Sequence, residues 1–476
     1  MILLVMTCYF AGVMILARWT AKRADNATFF TGNRQSPWWL VSFGMIGASL
    51  SGVTFISVPG WVEGGSMAYM QMVLGYVVGY AVVSYVLLPL YYRHQHSSIY
   101  GYLGDRFGLM GQKSGAWLFL LSRWVGASLR LFLVAEVLQT MMFGPMGVPY
   151  PVTVIIIIAL IWLYTHQGGI KTVVYTDVLQ TVAMLTAIVL AIMWVGDAIT
   201  MRDSILSYVF QQPESQWFFW DVNQGNYFWK QFLAGMFITI TMTGLDQDMM
   251  QKNLTCRSLK EAQRNVMSLS AVLVLVNFVV LSLGVLLLRY AEFSGIEDRG
   301  DALFAAVVMS PEMPMALGLV FVIGLIAAAF SSADSALTSL TTSLSVDVLH
   351  VESMDHNRAQ STRRLAHVVV SFAVFLLIVC IRPFADPSII KTLFTAAGYT
   401  YGPLLGMFAL GMMTQRVIKT SWVIPAVAIS SPLLTYALKY SVETWSSYVF
   451  SFELLLVNGI ITFVLLWLSS KRDINA

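Results

Sequence analysis

The sequence has 476 residues, of which 57% are hydrophobic and 11% are charged. An ordinary soluble domain carries about a quarter charged residues, so this composition excludes a water-soluble globular protein and predicts a chain that lies in a lipid bilayer. The formal net charge is only +3, and it is spread over the segments between hydrophobic spans, which argues against a nucleic-acid partner.

Hydropathy divides the chain into thirteen apolar spans, most of them close to the length of about 20 residues that a membrane helix needs. Long apolar runs such as 152–163 favour helices over the alternating strands of a membrane barrel. We therefore expect an all-α membrane protein with about 13 transmembrane helices. The spans lie near residues 1–20, 37–60, 66–92, 114–143, 151–165, 170–195, 228–250, 265–288, 315–345, 365–383, 388–414, 421–439 and 448–470.

The first span has no basic region before it and no small-residue cleavage site, so we expect it to be retained as a helix. Arg18, Lys22 and Arg23 follow it, and most Lys and Arg residues of the chain lie in segments on that same side. This bias places the N-terminus outside and the C-terminus in the cytoplasm of a multi-pass inner (plasma) membrane protein. The segments at 196–228 and 289–314 then lie outside, and we expect lids or short surface helices there.

The second span carries small residues in its middle, including Gly44, Gly47, Ser51 and Gly52. Two interpretations remain open. Such a composition tolerates unwinding that exposes carbonyl groups to an ion, and it equally suits close packing between helices.

The ninth span holds a polar run at residues 327–339, with a hydroxyl-rich stripe and the carboxylate of Asp334. Hydroxyl and carbonyl oxygens suit an alkali cation, and a carboxylate in lipid indicates function. The alternative is Ser/Thr packing between helices. Asp177, in the sixth span, lies at a similar depth and either shares an ion pathway with Asp334 or pairs with a nearby basic residue such as Lys171.

Arg123 and Arg130 are seven residues apart on the fourth span, with Gly126 and Ala127 between them on the same face. A guanidinium near the membrane midplane needs a partner. Either each arginine pairs with an internal carboxylate, for which Glu136, Asp177 and Asp334 are the candidates, or it receives an anionic substrate.

An enzyme is not indicated. The six histidines lie near span ends without metal spacing or a nucleophile partner, and Gly168-Gly169 with Lys171 is not a phosphate loop. The cysteines Cys8, Cys256 and Cys380 are single and widely spaced, as expected for free thiols.

Three motifs together resemble the sodium:solute symporter family, which includes sodium-coupled sugar, sialic acid and proline transporters. They are residues 47–51 running on to Pro59-Gly60, Gly168-Gly169 followed by 175–180, and Ala328 with 331–335. The loop at 246–252 also resembles the family's glutamine-basic loop. The resemblance covers almost the whole chain.

The resemblance implies the LeuT-like fold, a five-plus-five inverted repeat. The chain would then divide into an extra N-terminal helix and linker at 1–36, a first repeat at 37–195, an extracytoplasmic loop at 196–227, a second repeat at 228–414, and two C-terminal helices at 415–476.

The resemblance also implies a principal sodium site made by the carbonyls of Gly47, Leu50 and Ala328 and the hydroxyls of Ser331 and Ser332. Some members bind a further sodium ion. Here that second site would use Asp177, Asp334 and Ser335, but Asp334 stands where the family has a hydroxyl, so the alternatives are a stronger, a protonatable or an altered site.

The substrate does not follow from the resemblance. The positions at which the family's galactose transporter uses amides hold Thr54, Thr239 and Phe394, so a galactose site of that kind is not expected. Candidate substrate-binding residues are Ser51, Thr54, Arg123, Arg130 and Thr239. The function expected is sodium-coupled import of a small polar solute, with an acidic sugar or carboxylate favoured by the arginines; the alternatives are a neutral sugar or polyol symporter, a membrane sensor or a channel.

Overall fold

The computed structural model describes residues 2–21, 25–200, 204–384, 389–418, 420–446, 448, 450 and 452–472. Within these residues the chain is almost entirely helical. The helices are α1 (Ile2–Thr20), α2 (Asn26–Thr31), α3 (Trp38–Ser49), α4 (Gly52–Gly65), α5 (Tyr69–Val82), α6 (Leu88–His94), α7 (Gly101–Leu138), α8 (Tyr150–Thr165), α9 (Gly169–Thr200), α10 (Ile205–Gln211), α11 (Phe228–Thr239), α12 (Gln247–Asn253), α13 (Leu259–Ser294), α14 (Leu303–Val308), α15 (Met315–Ser343), α16 (His356–Ile381), α17 (Ile389–Met413), α18 (Val423–Trp445) and α19 (Leu454–Ser469).

A helix occupies the region of every predicted span. Seven helical stretches of the described residues are long and apolar enough to cross a membrane, and α3, α8 and α19 are shorter apolar helices. The long stretches cover 54–94, 101–143, 169–199, 259–294, 315–348, 356–381 and 423–445. The structure thus agrees with a multi-pass helical protein. It adds one small sheet, a two-residue antiparallel ladder between β1 (Arg416–Val417) and β2 (Lys471–Arg472).

The predicted second span is interrupted, in agreement with one of the two interpretations of its small residues. Helix α3 ends at Ser49, and α4 begins only at Gly52. Between them Leu50 has φ −86° and ψ 60°, and Ser51 has φ −58° and ψ 171°, so neither residue is helical. The backbone groups at this break cannot all be satisfied within the helix, which leaves carbonyls available to a ligand.

The glycines of this span also allow close packing, so both interpretations of their role apply. A Cβ on Gly44 would lie 2.9 Å from Cβ of Asp177, and one on Gly47 would lie 2.3 Å from Oγ1 of Thr181. The Thr181 hydroxyl donates to the carbonyl of Phe43 at 3.1 Å and accepts from the amide of Gly47 at 3.1 Å. Helices α3 and α9 are therefore held together next to the break.

The predicted seventh span is interrupted too, and here the prediction of a loop at 246–252 was wrong. Helix α11 passes through a π-helical turn at 240–244, after which α12 begins with Asp246 as its N-cap. The Asp246 carboxylate accepts from the amides of Asp248, at 2.8 Å, and Met249, at 3.3 Å. All seven residues of α12 are buried. The charged residues Asp248 and Lys252 of this helix thus lie inside the bundle.

The two predicted outside segments contain the short helices α10 and α14. The helix that contains the fourth predicted span is longer than expected, because α7 starts at Gly101 rather than near residue 114. Its first turns are offset from the rest at Gly108, which has φ 72° and lies in the left-handed region that favours glycine.

Candidate functional site

The break between α3 and α4 lies against the polar run of α15. The Ser331 hydroxyl lies 3.4 Å from the Cβ position of Gly47, and Cα of Ala329 lies 3.8 Å from the Cβ position of Gly52. The structure therefore brings both halves of the predicted principal sodium site together. Since helix α15 is buried throughout residues 324–343, water does not compete freely for these oxygens.

Ser332 gives the clearest sign of a ligand at this site. Its side chain is 2% exposed, and its hydroxyl has no hydrogen-bond partner among the described residues. A buried hydroxyl left without a partner costs free energy, so such groups usually have a role. The unpartnered hydroxyl of Ser332 on the helix that faces the broken backbone fits the oxygen-rich environment that an alkali cation needs.

Asp177 is paired with a residue that the sequence did not single out. Its Oδ2 accepts from Nζ of Lys252 at 2.7 Å, and its Oδ1 accepts from the Ser331 hydroxyl at 2.5 Å. Both Asp177 and Lys252 are almost completely buried. The alternative in which Asp177 pairs with a basic residue is therefore correct in kind, but the partner is Lys252 on α12 and not Lys171.

The other residues of the predicted second sodium site contact different groups. Oδ2 of Asp334 accepts from the Tyr164 hydroxyl at 2.8 Å, and the Ser335 hydroxyl donates to Asp248. In this structure Asp177, Asp334 and Ser335 are thus each hydrogen-bonded to a different protein group. The ammonium group of Lys252 is the cation that neutralises Asp177.

Arg123 forms an internal ion pair, but with none of the three carboxylates that we considered. Its guanidinium contacts Asp248, and its Nη1 lies 3.8 Å from Oδ2 of Asp246. The expected candidates have other partners: Glu136 pairs with Arg382 at 2.7 Å, and Asp177 and Asp334 are engaged as described above. The Tyr401 hydroxyl also donates to Asp246, so this buried polar cluster joins α7, α12 and α17.

Beside this cluster lies a cavity of about 120 Å³ at the centre of the bundle. All five predicted substrate-binding residues line it: Ser51, Thr54, Arg123, Arg130 and Thr239. Tyr69, Tyr76, Tyr80, Asn277 and Phe394 line it as well. The sequence analysis missed the tyrosines of α5, although three of them one or two turns apart on an apolar helix form a polar stripe that could have been noticed.

Arg130 differs from Arg123 in having no ion-pair or hydrogen-bond partner in the part of the chain that the structure describes. No described residue forms a salt bridge or hydrogen bond with its side chain, and its Nε is buried without a partner. It lies two turns further along α7 than Arg123, and it lines the same cavity. The cavity thus has one guanidinium in an ion pair and one that makes no ion pair or hydrogen bond with the described residues.

A larger cavity of about 830 Å³ continues along α4, where Ser57 lines it one turn after Thr54. The rings of Phe394, from the central cavity, and Phe452, from the larger one, pack edge to face with centroids 4.9 Å apart. An aromatic contact therefore lies between the two cavities. The larger cavity also contacts residues 224–226 and 300–301, which belong to the segments predicted to lie outside.

A bundle of apolar helices, two of them broken beside a buried polar cavity, is the arrangement typical of secondary transporters. A family model described as the sodium:solute symporter family matches residues 29–421. The chain belongs to the sodium:solute symporter family. This confirms the expectation of a sodium-coupled transporter of a small solute and not an enzyme.

Individual relatives and a solved structure agree. A sodium/sialic acid symporter of Proteus mirabilis is 23% identical over 430 residues, which cover 86% of this chain and 84% of that protein. The human sodium-coupled monocarboxylate transporter 1 is 25% identical over 407 residues, covering 81% of this chain and 64% of that protein. A sodium-coupled sialic acid symporter, solved in a substrate-bound outward-open state, has a TM-score of 0.83 at 20% identity over 99% of both chains, which shows a shared fold.

Proposed function

We propose that this symporter imports a small acidic solute, an acidic sugar or a carboxylate, by alternating access driven by sodium. The observation that carries the proposal is Arg130, which lines the central cavity without a partner among the described residues. An arginine on a membrane helix costs about 2.5 to 3.5 kcal/mol on insertion scales, and a carboxylate on the solute would recover that cost. Arg123 is neutralised by Asp248 and helps shape the cavity.

The names of two relatives support an acidic solute. The Proteus mirabilis relative is described as a sialic acid symporter and the human relative as a monocarboxylate transporter, and both of those solutes are anions at neutral pH. The tyrosines and Asn277 of the cavity provide hydroxyl and amide groups for the solute's remaining polar atoms.

For sodium we propose the principal site at Gly47, Leu50, Ala328, Ser331 and Ser332. The non-helical backbone at Leu50 and the unpartnered hydroxyl of Ser332 support it. A second sodium ion at Asp177, Asp334 and Ser335 would require Lys252 to release Asp177. We therefore propose that one sodium ion accompanies each solute molecule.

We further propose the LeuT-like five-plus-five repeat with about 13 transmembrane helices, with repeats at 37–195 and 228–414 flanked by the segments at 1–36, 196–227 and 415–476. The breaks in the first helix of each half, at 50–51 and 245–246, support this division. The chain would lie in the inner (plasma) membrane with its N-terminus outside and its C-terminus in the cytoplasm, because the Lys and Arg residues are biased to that side.

A thermal-shift screen of the purified protein tests the solute class. Acidic sugars, short carboxylates, neutral sugars and amino acids are each added in sodium chloride and in choline chloride. We expect stabilisation by an anionic solute in sodium only, because ligands that bind the folded state raise its apparent stability. A neutral sugar as the only sodium-dependent stabiliser would contradict the acidic solute and leave symport intact. Sodium-independent, non-saturating flux in proteoliposomes would contradict symport itself and favour a channel.

A further inference from the structure

Two histidines and an aspartate meet where the chain turns from α6 into α7. Helix α6 ends at His94, and Gln95 adopts the left-handed conformation with φ 55°, which reverses the chain. Nδ1 of His94 and Nε2 of His96 consequently lie 2.8 Å from the same atom, Oδ2 of Asp105 on α7. The three potential ligand atoms all lie within 4.8 Å of one another.

This cluster could not be predicted from residue spacing, because Asp105 is nine residues from His96 and becomes a neighbour only through the turn. The surrounding residues hold the two rings in place. The His94 ring packs edge to face with Tyr102 at 5.6 Å between centroids, and a Cβ on Gly101 would lie 2.5 Å from Cγ of His96. Gly101 thus leaves the room that the His96 ring occupies.

We propose that His94, His96 and Asp105 bind a divalent transition-metal ion of the zinc class. Imidazole nitrogen and carboxylate oxygen are the ligands that such ions take, and three protein ligands with water in the remaining position are typical of open zinc sites. Ligand atoms around a tetrahedral zinc ion lie roughly 3.3 Å apart, a value between the 2.8 Å from each histidine nitrogen to Asp105 and the 4.8 Å within which all three atoms lie. The side chains are 31%, 39% and 43% exposed, which gives an ion access from water.

The position of the cluster gives the metal a consequence for transport. Residues 97–100, which directly follow His96, form hydrogen bonds with the chain at the break between α11 and α12. Gln247 accepts from the amide of Ile99 at 2.9 Å and donates to the carbonyl of Ser97 at 3.1 Å. The Tyr100 hydroxyl donates to the carbonyl of Leu245 at 3.0 Å. A metal that joins His96 to Asp105 fixes both ends of this segment, and we infer that it slows the rearrangement of the broken helix and inhibits uptake.

Titration of the purified, tag-free protein with Co²⁺ and Zn²⁺ tests the site without any assumption about the solute. We expect one equivalent of Co²⁺ to bind, with the visible absorption bands of a nitrogen-containing site, and Zn²⁺ to displace it. His96→Ala and Asp105→Asn should each weaken binding by about tenfold or more. His356→Ala, which removes an exposed histidine elsewhere, is the control and should bind like the parent.

Gel filtration and the sodium-dependent thermal shift show that each variant is folded. Parental binding by the His96→Ala variant, or no saturable binding by the parent protein, would overturn the metal site. Uptake into proteoliposomes with zinc on both sides of the membrane tests the inhibition. Uptake should fall over the concentration range in which zinc binds, and it should not fall in the His96→Ala variant. Binding without any effect on uptake would overturn the inhibitory role alone.

Discussion

At the scale of single residues, the hydroxyl of Ser332 is the strongest candidate for a sodium ligand. It is buried and has no protein partner among the described residues, so removal of its oxygen takes a ligand from the ion without breaking any other bond. We expect Ser332→Ala to weaken the apparent affinity for sodium by about tenfold, which corresponds to roughly 1.4 kcal/mol. Uptake measured against sodium concentration gives this affinity.

Ser339→Ala is the matched control for this variant. Ser339 lies on the same helix and is equally buried, but its hydroxyl donates to the carbonyl of Ala336 at 3.0 Å. Its removal should leave the sodium dependence unchanged. If both variants keep the sodium affinity of the parent protein, Ser332 is not a sodium ligand and the principal site has been assigned to the wrong hydroxyl.

The ion pair of Arg123 and Asp248 predicts a change in stability. Arg123→Gln leaves the completely buried carboxylate of Asp248 without a counter-ion, and breaking a buried pair in this way costs about 3 to 5 kcal/mol. We expect a clearly lower melting temperature in detergent. Adding Asp248→Asn to the same chain should restore part of it, since no uncompensated charge remains. Equal melting temperatures for parent and single variant would show that the pair is not formed.

Arg130 should behave in the opposite way. Because it has no protein partner among the described residues, Arg130→Lys should fold and melt like the parent protein. Uptake should fall at least about tenfold, since an ammonium group cannot bind a carboxylate in the two-pronged geometry of arginine. Paired measurements of melting temperature and uptake decide the matter. Loss of folding together with uptake would instead mean that Arg130 is a structural residue.

The sequence showed some of the buried charged residues but not their partners. Asp177, Asp334, Arg123 and Arg130 stood out because a charge within an apolar span is costly. Their partners did not, since Asp248 and Lys252 lie more than 70 residues from Asp177 in a segment that looked like a loop. Pairing of this kind depends on how helices pack, which no local pattern contains.

At the scale of helices, hydropathy located every long element, because burial in lipid demands an unbroken apolar stretch. It did not locate the short ones. Helix α12 carries Asp248 and Lys252 and therefore looked polar, yet it is buried because each charge finds a partner. The break at Leu50 and Ser51 could be predicted, since its glycines and serines favour unwinding.

The contact between α3 and α9 predicts the effect of a single methyl group. Gly47→Ala would place a Cβ 2.3 Å from Oγ1 of Thr181, so one helix must move. We expect a destabilisation of about 1 to 3 kcal/mol, as in other overpacked cores, together with loss of sodium-dependent uptake. Melting temperature and uptake are the measurements.

Gly12→Ala is the control for this substitution, because no atom lies within 4 Å of the position of its Cβ. It should change stability by less than about 1 kcal/mol. Thr181→Ala in the Gly47→Ala background removes the clashing oxygen and should recover part of the lost stability. If Gly47→Ala alone behaves like Gly12→Ala, the two helices are not packed as closely as the structure shows.

At the scale of the whole molecule, the arrangement of the cavities suits alternating access. The central cavity contains the candidate solute groups, and the larger cavity reaches the segments predicted to lie outside. The aromatic pair of Phe394 and Phe452 joins the walls of the two cavities. A rearrangement of this pair would connect the solute site with the outer side, as an alternating-access cycle requires.

The ion pair of Lys252 and Asp177 predicts the number of sodium ions carried. With a protein-borne cation on Asp177, uptake should depend on sodium with a Hill coefficient near 1. Replacing Lys252 by Met frees the carboxylate for a second ion and should raise the coefficient above that of the parent. A parental coefficient close to 2 would contradict the proposal of a single ion, and the melting temperature of the variant shows whether it remains folded.

If this ion pair limits transport to one sodium ion for each solute, as proposed, it also decides which energy source drives uptake. One sodium ion and one singly charged anion carry no net charge together. Each transport cycle would therefore move no net charge across the membrane. Voltage, which supplies about 2.3 kcal/mol per charge per 100 mV, would then contribute nothing to uptake. The sodium gradient alone would set the limit, so that a tenfold gradient supports about a tenfold accumulation of solute. By keeping a second sodium ion out, Lys252 would thus lower the maximum accumulation of solute. In return, the direction of transport would not depend on the membrane potential.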